Sequence, residues 1–146
     1  MKIDIICVGK LKEDYLTAAQ KEYLKRLTPY GRFTVHEVSE GTLEKEAAAL
    51  EKILPSGAYK IAMAIKGASL SSERFAEKLR MLAVDGMPHA AFIIGGSDGL
   101  DERILKICDA HISLSAMTFT HQIARILLLE QVYRAFRIIN NQPYHK

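Results

Sequence analysis

The chain lacks the features of a membrane or exported protein. No apolar run approaches the roughly 18 residues needed to span a bilayer. The opening MKIDIICVGK is basic and then apolar, but Asp4 interrupts the run and no small-residue cleavage site follows. It reads as a first strand rather than a signal peptide. Cysteine is scarce. Cys7 and Cys108 lie far apart with no metal-ligand spacing, which argues against a disulfide framework and a cysteine metal site. Free thiols in a reducing cytoplasm, and no metal, are expected. There is no repeat, no low-complexity segment and no linker, so residues 1–146 are expected to form one domain with a real core. An excess of one charge is also missing from most of the chain. Residues 1–120 balance, and the whole net +3 comes from Arg125, Arg134, Arg137 and Lys146 against Glu130. A basic face confined to the last helix and tail suits a phosphate-rich partner, or is simply a solvated helix face.

What is present alternates strand with helix. KIDIICV (2–8) is a buried-strand run, and about 12–27 has helical spacing, stopped by Thr28-Pro29-Tyr30-Gly31. RFTVHEV (32–38) alternates like a half-buried strand. Thr42 caps a helix to about residue 54, YKIAMAI (59–65) is a third strand, and Ser71 or Ser72 caps a helix to about Val84. AAFII (90–94) is apolar throughout, as a central parallel strand requires. Asp101 caps a short helix to about Cys108, HISL (111–114) is a fifth strand, and Thr120 caps a long helix to about Ile139. This order predicts an α/β fold: a mostly parallel sheet of five to six strands with helices on both faces. The last helix is apolar nearly all round and must be covered on two sides. Either a second copy of the chain or neighbouring helices of the same chain can do this, and a symmetric homodimer is expected.

Three stretches carry chemistry. In IIGGSDGLDE, Gly95 and Gly96 follow a strand and precede a helix, where backbone amides can approach a ligand. The same stretch fits G-x-S-x-G, with Asp109 and His121 following in triad order, so a serine hydrolase built on Ser97 has to be weighed. The chain is short for that fold, and the elbow sits late in it. In SLSAMTFTHQ (113–122), small and hydroxyl side chains stand without charge before the last helix. Such a loop suits a cationic ligand or an adenine edge read by main-chain groups, or it merely caps the helix through Thr118 or Thr120. The tail NNQPYHK ends in Tyr144, His145 and Lys146, which together can stack on a base, move a proton and neutralise a phosphate, although many termini are frayed and idle.

Taken in order, FIIGGSDGL, LSAMTFTHQ and RILLLEQVYRAFRIINNQPYHK resemble the RlmH family of SPOUT methyltransferases, and MKIDIICVGK and the length extend the likeness over the whole chain. The resemblance implies a trefoil knot in the C-terminal half, S-adenosylmethionine held in the knot loops and a homodimer. It also implies methylation of N3 of a pseudouridine in 23S rRNA of the assembled ribosome. Cofactor contacts would be Met63, Gly95, Gly96 and the run Leu114, Ser115, Ala116, Met117, Thr118 and Phe119. Methyl transfer needs a deprotonated N3 and cations for the charge spreading onto the flanking carbonyls. Arg134 and Lys146 would supply the cations, His145 would be proton acceptor or orienter, and Tyr144 would stack on the base. Arg125 and Arg137 are open alternatives for phosphate binding, and Glu130 would hold Arg134 by an i,i+4 pair. The rival to an enzyme is a non-catalytic RNA-binding dimer.

Overall fold

The computed structural model describes all 146 residues. Five strands, β1 (Lys2–Val8), β2 (Arg32–Val38), β3 (Tyr59–Ser69), β4 (His89–Ile94) and β5 (Ala110–Ser113), form one sheet in the order β2-β1-β4-β3-β5. Every neighbouring pair is parallel. β1 and β4 lie inside the sheet with both faces covered, which is why β4 is apolar from Ala90 to Ile94 and β1 is apolar from Ile3 to Val8 but for Asp4.

Helices α1 (Asp14–Leu27), α3 (Ser72–Val84) and α5 (His121–Ile139) cover one face, over a core that includes Ile3, Ile5, Leu79, Phe92, Leu128 and Val132. Helices α2 (Leu43–Ile53) and α4 (Glu102–Ile107) cover the other, over Ile6, Val8, Leu50, Ile93 and Ile104. Four helix starts are capped as their sequences predict. Thr42, Ser71, Asp101 and Thr120 each accept a bond from an amide two or three residues on. α1 begins at Asp14 rather than Lys12, without a side-chain cap.

Two differences from the sequence pattern concern the site. β3 does not end at Ile65 but continues to Ser69, and its pairing with β5 is interrupted. Met63 and Ala68 both face Ile112, so residues 64–67 bulge out between them. Gly67 is needed there, because a Cβ would stand 2.7 Å from the His111 backbone. β5 ends at Ser113, which leaves Leu114 in the following loop. The apolar girth of α5 is largely covered within the chain, by α1 on one side and α3 on the other. No helix is long and apolar enough to cross a membrane.

Candidate functional site

At the carboxyl ends of β3, β4 and β5 lies a cavity of about 910 Å³. That is where open parallel sheets place ligands. Three loops build it: the bulge of β3, the glycine turn after β4, and the hydroxyl-rich passage before α5. Its wall includes Met63, Gly95, Gly96, Leu114, Ser115, Met117, Thr118 and Phe119, all anticipated from sequence. Ala116 does not line it.

The glycine turn is held by Gly96 and Gly99, whose backbones bridge, with the Gly99 amide donating to the Gly96 carbonyl at 3.0 Å. Gly99 takes a φ of +78°, which favours glycine. A Cβ on Gly95 would stand 2.3 Å from the Gly99 carbonyl oxygen, and one on Gly96 would press on Val8 at 3.2 Å. The turn itself therefore demands glycine at 95 and crowds any side chain at 96, and both residues line the cavity.

The hydroxyls of the passage fold it back on itself. Ser113 Oγ donates to the Ser115 carbonyl and Ser115 Oγ accepts from the Met117 amide, both at 3.0 Å, while Thr120 rather than Thr118 caps α5. The lining of this loop is uncharged. Lys12, Glu13 and Lys66, which also line the cavity, stand exposed, and His121 joins them from the start of α5. The mouth of the cavity is apolar: Tyr15, Ile65, Met117, Phe119 and Ile123 line it and remain 39–75% exposed. The wall formed by the loop before α1 was not legible in the sequence. There the Lys12 amide donates to Gln122 Oε1 at 3.0 Å, which ties that loop to the start of α5.

The tail residues lie elsewhere. None of Arg134, Tyr144, His145 or Lys146 lines the cavity. Ten residues, or about 15 Å of helix, separate Arg134 from Ala124, the last cavity residue of α5. The tail turns at Asn141 (φ +52°) and folds back along α5. Arg137 pins it, donating to the Pro143 carbonyl at 2.8 Å and to the Tyr30 hydroxyl at 3.0 Å. The Tyr144 ring meets Tyr133 edge-on at 4.8 Å, with the Arg134 guanidinium 4.8 Å from its centroid. Burial, with a hydrogen bond to Tyr23, pushes the Tyr144 hydroxyl up to about 12, so it stays neutral. Glu130 holds Arg134 at 2.6 Å, as the i,i+4 spacing predicts.

His145 is gripped at both ring nitrogens. Nε2 lies 2.6 Å from Glu73 Oε1, and Nδ1 lies 3.1 Å from Arg134 Nη1. An arginine can only donate, so Nδ1 accepts and Nε2–H donates to Glu73. Glu73 stands in the first turn of α3, where its charge also suits the helix dipole. Its own carboxyl is held below the usual range by its backbone amide and then by His145.

Arg125 is not the phosphate contact that its charge suggested. It is 1% exposed and spans four elements, donating to Glu37 at 2.6 Å, Gln20 at 3.1 Å and the Gly9 carbonyl at 2.9 Å. Arg137 likewise donates within the protein, to Gln142 and Pro143 of the tail and to the Tyr30 hydroxyl.

The hydrolase constellation does not assemble. Asp109 accepts from the Lys60 amide at 2.8 Å, and His121 faces Glu40 at 3.3 Å. Neither thiol is favoured as a thiolate. Burial raises Cys7 to about 12 and Cys108 to about 11. No group of three or more His, Cys, Asp and Glu side chains is placed to hold a metal.

Residues 1–145 match the family model described as predicted SPOUT methyltransferase. The chain is 45% identical to the ribosomal RNA large subunit methyltransferase H of Desulforamulus reducens, over all of this chain and 99% of that protein. It is 44% identical, over both full lengths, to the protein of the same name from Halothermothrix orenii. Among solved structures it is similar to a probable methylase family protein from Haemophilus influenzae. The TM-score is 0.58 at 14% identity, over 99% of this chain and 70% of that one. It is also similar to the tRNA (m1G37) methyltransferase of Aquifex aeolicus, with a TM-score of 0.55 at 14% identity, over 92% and 70%. At that identity the structural likeness speaks for the fold alone.

Proposed function

Because the chain belongs to the SPOUT methyltransferase family, we propose that it carries a methyl group from S-adenosylmethionine to N3 of a pseudouridine in 23S ribosomal RNA, working as a homodimer on the assembled ribosome in the cytoplasm. The observation that carries the reading is the cavity at the carboxyl edge of the sheet, where the glycine turn meets the uncharged Ser113–Phe119 passage.

The residues present fit this cofactor. The glycine turn brings main-chain groups to the wall, the Ser113–Phe119 passage offers carbonyls and amides to an adenine edge, and no carboxylate in that passage competes for a sulfonium. The bound donor would supply an electrophilic methyl carbon. Met63, Gly95, Gly96, Leu114, Ser115, Met117, Thr118 and Phe119 would hold it. Ala116 would serve by letting the loop turn rather than by contact. The loop crossing between β5 and α5 is where the family's knot would lie.

The tail would act on the RNA. Tyr144 stacks on the base, and Arg134 and Lys146 face the negative charge that spreads onto its carbonyls. With Nδ1 accepting from Arg134 and Nε2–H given to Glu73, His145 is poised as an orienter of that cation. It becomes a proton acceptor only when the Arg134 contact opens. The separation of tail and cavity along α5 supports completion of the site by a second copy, one protomer's tail reaching its partner's cofactor. The apolar mouth of Tyr15, Ile65, Met117, Phe119 and Ile123 is the surface such a copy would cover.

Calorimetric titration of S-adenosylmethionine into the protein tests the reading, with Met117→Glu beside it. Saturable binding that the variant loses is expected. Absence of binding, both alone and with ribosomes from a strain lacking this protein, would sink it.

A further inference from the structure

The four arginines around the tail and the start of α5 differ in what their guanidinium groups are doing. Arg125 is buried on Glu37, Gln20 and Gly9. Arg134 is bonded to Glu130 and His145, and Arg137 to Tyr30, Gln142 and Pro143. Arg26, near the end of α1, has no hydrogen-bonded partner. Its nearest carboxylate, Glu22, stands at 3.8 Å, beyond hydrogen-bond reach, and both side chains are 43–48% exposed.

Arg26 is nevertheless held in place. Its guanidinium lies 5.6 Å from the Tyr23 ring centroid and 5.8 Å from that of Tyr133, the ring that Tyr144 meets edge-on. Two aromatic faces restrain the group without using its N–H donors. A restrained guanidinium with a free fork is matched to a phosphate, which it can grip in bidentate fashion, and less of its freedom is lost on binding. Lys25, exposed on the same helix turn, adds a second positive charge against the single carboxylate of Glu22.

We propose that Arg26 binds a backbone phosphate of the RNA beside the base held by the tail. Resting on the tail-side reading above, it moves the phosphate contact from α5, where sequence charge placed it, to α1. Phosphate contacts position the strand and leave the reacting atoms to other groups.

The test uses the full-length protein and ribosomes from a strain lacking it. Turnover is followed for wild type, Arg26→Gln, Arg26→Lys and a variant lacking Tyr144–Lys146, at several salt concentrations. Arg26→Gln is expected to raise the ribosome KM several-fold with kcat little changed. The slope of log KM against log salt should fall by about one. Arg26→Lys should retain the slope and recover part of the KM, since it keeps the charge but not the fork. An unchanged KM and salt slope in Arg26→Gln would overturn the proposal. So would a raised KM at unchanged slope with a sedimentation shift to monomer, which would make Arg26 an interface residue. The tail-deleted variant separates the two claims. If it turns over normally, the tail reading falls. If it is dead while Arg26→Gln matches wild type, only the role of Arg26 falls.

Discussion

The two halves of α5 treat the same residue type in opposite ways. In the first half Arg125 is 1% exposed and joins α5 to β2, α1 and the end of β1. In the second half Arg134 and Arg137 sit near the surface and hold a tail of seven residues. The first arrangement needs a guanidinium because only a rigid fork reaches several acceptors at once inside the core. It also cannot let go, since taking its hydrogen bonds away would strand a charge in a dry place. The second arrangement is wet enough to open and close, and the groups proposed for chemistry gather there. Formal charge alone does not tell the two apart.

The comparison breaks most sharply at the tail. Removing Tyr144–Lys146, or substituting His145→Ala, is expected to abolish methyl transfer, while calorimetric binding of S-adenosylmethionine stays as in the wild type. Normal turnover in either variant would take the tail out of the mechanism. The next largest effect belongs to the other half of the helix. Arg125→Met leaves Glu37 without its cation and empties a buried site. Its cost is about 3 kcal/mol in urea unfolding, at the low end for a broken buried pair because Glu37 is partly exposed. A change below about 1 kcal/mol would mean that the network is not structural.

The comparison sharpens on the opposite face of the sheet. Asp4 is buried there between His36 at 2.9 Å and His89 at 2.6 Å. Burial alone would raise its carboxyl, but hydrogen bonds and charges from His89 and His36 overcome that and lower it. A carboxyl lowered in the folded state adds stability above its unfolded value, near pH 4, and the contribution fades as pH falls through the folded value. Asp4→Asn should therefore cost about 1–2 kcal/mol at pH 7. Its stability deficit should shrink below about pH 4 in acid titrations followed by circular dichroism. Turnover per folded molecule should not change, as expected of a network that holds structure only. A deficit independent of pH would show that the ionised carboxylate is not what stabilises.

Local rules were legible almost residue by residue. Thr42, Ser71, Asp101 and Thr120 cap where a short polar side chain precedes an apolar periodicity, and caps depend on neighbours within one turn. The cavity loops were legible for a related reason: Gly95 is dictated by its own turn, and the hydroxyls of Ser113–Thr120 bond within the passage. Distant partners were not legible. Nothing near Arg125 in the chain announces Glu37 or Gly9, Glu73 looked like an ordinary first-turn acid, and Arg26 sits in a balanced stretch of charge. The bulge of β3 was missed because the strand's own pattern continues into it. Only the double pairing to Ile112 reveals that residues 64–67 leave the sheet.

The amino-acid order by itself determined the five strands, the helices between them, their caps and the glycine turn and uncharged passage of the cavity wall, because each depends on contacts a few residues apart. Tertiary structure alone decided which arginine is buried, which is bound and which is free, and that tail and cavity stand apart on one protomer. Those outcomes depend on groups brought together from across the chain, and side-chain type cannot specify which partner the packing will supply.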